Sequence, residues 1–146
     1  MGWQLPSYLV RSNNATVTRF LEQTSPSAHS DVADELLLSA DGLVGVSSYC
    51  PDVKNYSYIV LHTADHQIFG LAYGMKRLCY QVPSDFSTEL EADEGQTLAE
   101  FWSGWVCFNP FDSRQRTEDL RRKAKKWCRI AYEHSLEIEK RSRPFS

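Results

Sequence analysis

The 146-residue sequence has no apolar run long enough for a membrane span, which needs about 18 residues or more. The opening MGWQLPSYLVRSNN lacks a basic leader, an apolar stretch and a small-residue cleavage site, so no secretory signal is expected. Its Met-Gly start would suit myristoylation only with Ser or Thr at position 6, and Pro6 stands there. Four cysteines, Cys50, Cys79, Cys107 and Cys128, occur without a C-x-x-C pair or a Cys/His cluster at zinc spacing. The last three sit in apolar surroundings, so buried free thiols in a reducing cytoplasm are expected. G-x-S-x-G, H-E-x-x-H and Gly-rich phosphate loops are missing too, which disfavours an enzyme and leads us to expect no cofactor and no metal.

What is present is the composition of an ordinary globular protein, 42% apolar and 24% charged, at a length that fits one α+β domain over residues 1–146. Two short N-terminal helices are predicted. NNATVTRFLEQTSP offers Asn13 or Asn14 as a cap and Pro26 as a stop, and SDVADELLLSADG offers Ser30 or Asp31 with Gly42 at its end. From Leu43 to Val82 the period shortens. LVGVSSY, YSYIVLH, QIFGLAYG and KRLCYQV read as an antiparallel meander of three or four strands. The polar stretch PSDFSTELEADEG reads as a loop, and QTLAEFWSGW as a short helix capped by Thr97. The surest element is a long C-terminal amphipathic helix, with Leu120, Ala124, Trp127, Cys128, Ala131, Ser135 and Ile138 on one stripe.

One strand poses a question. Simple alternation puts Phe69, Leu71 and Tyr73 on one side and Gly70, Ala72 and Gly74 on the other. A strand face this bare implies a close approach, either by a helix lying tight upon it or by a ligand in a shallow groove. A three-residue hairpin loop after YSYIVLH would set His62 on the bare face beside Gly70, and a two-residue loop would set it opposite. His62, Gly70, Ala72 and Gly74 are therefore a candidate ligand face, with His62 as a potential general base. His62 and His66, flanking Asp65, could also meet at a metal, although a turn does not set their geometry.

Charge is divided along the chain. Residues 1–111 hold 13 acids and 5 bases, whereas residues 112–146 hold 6 acids and 11 bases. No lysine or arginine falls between Arg77 and Arg114, where Asp85, Glu89, Glu91, Asp93, Glu94 and Glu100 precede an aromatic-rich run. Exposed aromatics beside carboxylates are what an interface with a basic protein uses as anchors and steering charges. Glu91, Asp93, Glu94, Phe101, Trp102 and Trp105 are the candidate partner-binding residues. The expectation is a cytoplasmic protein-binding module of the immunity or antitoxin type, or an adaptor, with a basic protein as partner. A small enzyme or ligand domain at His62 is the alternative. A nucleic-acid contact through Arg121, Arg122, Lys125 and Arg129 is a further one, opposed by the net charge of −3.

Overall fold

The computed structural model describes residues 4–83, 96–98 and 104–142. Three helices and six strands are described: α1 (Ala15–Thr24), α2 (Ser30–Ser39), β1 (Ser47–Tyr49), β2 (Ile59–His62), β3 (Ile68–Tyr73), β4 (Arg77–Gln81), β5 (Gln96–Leu98), β6 (Trp105–Phe108) and α3 (Thr117–Ser142). The strands form one antiparallel sheet in the order β1-β2-β3-β4-β6-β5. This is the expected α+β arrangement, with short N-terminal helices, a meander and a long C-terminal helix.

Both faces of the central strands β2, β3, β4 and β6 are covered. On one side Val32 and Leu36 of α2 and Leu120, Ala124, Trp127, Cys128 and Ala131 of α3 pack on Ile59, Leu61, Phe69, Ala72, Leu78, Tyr80, Val106 and Phe108. Alanine and cysteine at the α3 contact let that helix lie close, and the predicted stripe is the buried one. On the other side Leu5, Leu9, Val17 and Leu21 cover Tyr58, Val60, Ile68, Leu71, Cys79, Trp105 and Cys107. Asn14, itself buried, fastens this second layer. Its Nδ2 donates to the Leu9 and His66 carbonyls, each at 2.8 Å, and its Oδ1 accepts from the Ile68 amide at 3.0 Å.

Three local expectations are corrected. The segment predicted as a helix over QTLAEFWSGW contains β5 and the first residue of β6 instead. Trp105 and Cys107 face the α1 layer while Val106 and Phe108 face α2 and α3, a period of two that pairing with β4 exploits. Asn14 occupies the position before α1 without capping it, because its side chain is committed to the hairpin. The cap of α2 is His29, whose Nδ1 accepts from the Asp31 amide at 3.2 Å.

Candidate functional site

The bare strand face is a packing face. Leu61 pairs with Gly70 and Ile59 with Ala72, beneath α2 and α3. A Cβ at Gly70 would stand 3.1 Å from Leu61 Cδ1 and 3.4 Å from Leu36 Cδ1, so the missing side chain makes room for two leucines. Gly74 does something different. At φ +70° it leads out of β3, in the left-handed region where glycine carries no Cβ penalty. Its amide donates to the Ser27 carbonyl at 2.6 Å, and its carbonyl accepts from the His29 amide at 2.9 Å. Gly70 and Ala72 are thus closed to ligands, and Gly74 serves to join the β3–β4 turn to the α1–α2 link.

His62 is not on that face, and the reason is a bulge. Thr63 pairs with Gln67 around the three-residue loop Ala64-Asp65-His66, the last at φ +68°. That loop length alone would bring His62 to the Gly70 side. The register then shifts between Leu61 and His62, so that His62 pairs with Ile68 and Leu61 with Gly70, which leaves Phe69 as the extra residue. Phe69 consequently turns toward α3, with its ring centroid 5.8 Å from that of Tyr132. His62 turns the other way, toward Tyr8 and His66 at centroid distances of 6.1 and 5.4 Å.

The surroundings of His62 suit a structural role. It is buried, and its Nδ1 lies 2.9 Å from the Thr63 carbonyl, to which it donates. Burial is the main cause that lowers its pKa, and His66 adds to this, although the Thr63 carbonyl opposes them. The Thr63 hydroxyl donates to the buried Glu139 carboxylate and accepts from the Gln67 amide at 3.1 Å, which ties the hairpin to the last turns of α3. Among the described residues no group of three or more metal-binding side chains comes together. His62 and His66 share a neighbour in Tyr8, not a third ligand.

Of the partner-binding candidates, Trp105 is corrected. It is 2% exposed, set in β6 against the α1 layer, and cannot serve as a surface anchor. Glu91, Asp93, Glu94, Phe101 and Trp102 lie outside the described residues. They fall in sequence between Val82 and Gly104, a span that also contains β5, and the Val82 amide donates to the Gly104 carbonyl at 2.8 Å.

The basic residues of α3 fall into two groups. Arg121 is held by Glu35 of α2 through paired bonds of 3.1 Å each, from Nε to Oε1 and from Nη2 to Oε2. Arg122, Lys125, Lys126 and Arg129 instead line a cleft between α3 and the turn after α2. Arg122 pairs with Asp119 at 3.1 Å and Arg129 with Glu133 at 3.6 Å, both in solvent, where such pairs are weak. Spacing along the helix marks this group, but only the fold shows that Arg121, which lines an adjoining cavity with Arg122 and Lys125, is held by Glu35. No helix among the described residues is long and apolar enough to cross a membrane.

Together these elements define an α+β protein whose central strands are buried on both sides. Compared with known proteins, the chain matches no protein-family model, no curated protein and no solved structure.

Proposed function

We propose that the chain is a cytoplasmic protein-binding module, an inhibitor of the immunity or antitoxin type or an adaptor, that engages a basic partner protein through the segment between β4 and β6. The observation that carries this reading is the closed base of that segment. Asp85, Glu89, Glu91, Asp93, Glu94 and Glu100, with no intervening base, and the aromatics Phe101 and Trp102 are all held between Val82 and Gly104, whose backbones are bonded at 2.8 Å. Connecting segments whose ends are fixed on a sheet are a common way to build a recognition surface. Carboxylates there would raise the association rate with a basic surface, and an aromatic side chain would supply the anchor. Coverage of the Gly70 and Ala72 face supports the same reading, since it removes the strand groove as a competing site.

The test is capture of a stoichiometric partner from nuclease-treated lysate of the source cells, followed by association kinetics at low salt. Charge reversal by E91K, D93K and E94K together should slow association at least about tenfold, the range over which steering acts. Trp102→Ala should raise the dissociation rate. Unchanged kinetics in both variants would reject the reading.

A further inference from the structure

The cleft between α3 and the turn after α2 is a second surface, opposite in sign to the acidic segment. The geometry points to a docking site here for a short acidic peptide segment of a partner protein, one that carries two or three carboxylates and an apolar side chain beside them.

The cleft is built from fixed parts. It has two lobes, of about 350 and 480 Å³, that share Ser39, Asp41, Arg122 and Lys125. In the larger lobe Arg122, Lys125, Lys126 and Arg129 of α3 face Asp41, Gly42 and Leu43. The turn that forms this second wall is pinned to α3 by the Tyr132 hydroxyl, which donates to the Val44 carbonyl at 2.7 Å. Lys125 makes no ion pair with any described residue. The exposed pairs of Arg122 and Arg129 can be exchanged for a ligand's carboxylates at little cost. Four cations and one carboxylate line this lobe, and with Asp119 and Glu133 paired to Arg122 and Arg129 it is still net positive on a protein of net charge −3.

The size and flanks of the cleft choose the ligand. At ~1.5 Å of rise per residue, Arg122 to Arg129 covers about 10 Å, the reach of about three residues of extended chain. Glu118 and Asp119 bound the cationic tract on one side, and Glu133 and Glu137 follow it on the other. A nucleic-acid strand continuing along α3 would meet those carboxylates, since its phosphates recur without interruption. The smaller lobe adds Glu35, Glu118 and the Arg121 that Glu35 holds to its lining. A short peptide seated on Arg122, Lys125 and Arg129 has no need to reach Glu35 or Glu118. The apolar requirement comes from Leu38, which lines the smaller lobe and is 47% exposed, and from Leu43 in the larger.

The inference does not rest on the acidic segment's role, so either can fail without the other. It is tested on the full chain by fluorescence polarisation with three labelled probes: a peptide alternating Asp or Glu with Leu, the same peptide with Ser for Leu, and an oligouridylate. Each is titrated at about 0.02 M and about 0.2 M salt, where Debye screening differs severalfold. The Leu-containing peptide should saturate, bind more weakly at the higher salt, and bind more tightly than the other two probes. The variant R122E/K125E/R129E should weaken it at least about tenfold, with Leu38→Ser weakening it about threefold. Lys76→Glu, in the β3–β4 turn, should leave it unchanged. These side chains are exposed, and circular dichroism is the control that each variant is folded. Absence of saturable binding, indifference to the triple reversal, or tighter binding of the oligouridylate would each overturn the proposal, the last in favour of a nucleic-acid contact.

Discussion

The Tyr80 hydroxyl of β4 and the Ser39 hydroxyl of α2 lie 2.8 Å apart, and both side chains are buried. Ser39 Oγ donates to the Leu36 carbonyl at 2.6 Å, so the proton between the two hydroxyls comes from Tyr80. The pair locks α2 onto the sheet. Burial is the first cause that pushes the Tyr80 pKa far up, so its proton stays in place at neutral pH.

The two deletions of this pair are therefore unequal. Ser39→Ala strands a buried phenol donor and is expected to cost about 1–3 kcal/mol, the desolvation penalty of an unpaired group. Tyr80→Phe leaves the Ser39 bond to Leu36 intact and should cost about 1 kcal/mol. Urea midpoints of the two variants, at unchanged slope, measure the difference.

Gly70 is sterically fixed. A valine there would drive branched carbons into Leu61 and Leu36, whose nearest atoms already stand 3.1 and 3.4 Å from an added Cβ. Gly70→Val should destabilise by about 1–3 kcal/mol through overpacking, despite the better strand propensity of valine. Equal or greater thermal stability would show that the α2–β3 contact is looser than the structure has it.

Stability should fall on acidification from neutral pH. His62 has a folded pKa below its ordinary value of 6.5, and so has His134, for which burial is again the main cause, with Arg141 second. The folded state therefore binds fewer protons than the unfolded state once pH falls below about 6.5. Stability is complete above that pH and declines as pH drops toward the folded pKa values. His62→Gln should flatten the dependence between pH 7 and pH 5 (values chosen to bracket ~6.5). An unaltered slope in chemical denaturation would refute the assignment.

Cysteine reactivity should split one against three. All four thiols are free, Cys50 is partly exposed, and Cys79, Cys107 and Cys128 are buried. Burial pushes the Cys128 thiol up to about 11 and raises Cys79 well above the ordinary value. Since the thiolate is the reactive form, a thiol reagent at neutral pH should modify Cys50 first and the other three only after denaturant is added. Cys79 and Cys107 stand directly opposite in the β4–β6 ladder, so fast modification of either would mean that this ladder opens readily.

Much of the architecture was legible because its signals are local. The stripe of α3, the meander over β1 to β4 and the polar breaks around α1 and α2 each lie within one stretch of chain. The misreadings have non-local causes. QTLAEFWSGW carries helical spacing, yet Trp105 to Phe108 pair with β4 on one edge and β5 on the other, and that pairing with burial on two faces outweighs weak propensity. The alternation of Trp105, Val106, Cys107 and Phe108 between two all-apolar layers is invisible without knowing that both faces are covered. As for the candidate site, the basic run was legible as charge, but not the pinned turn that makes it a cleft.

Alone, the sequence determined the α+β class, the helical stripe and the division of charge, because periodicity and composition need no knowledge of distant neighbours. Tertiary structure decided which way His62 faces. The sequence left the loop at two or three residues; the structure has three, but one extra residue at Phe69 reversed the parity of every side chain beyond it, and that bulge is settled by how Leu61, Gly70 and the helices above them pack. It also decided that Trp105 is core and that Gly70 is a seat for leucines, since burial is a property of what the rest of the chain brings to a residue.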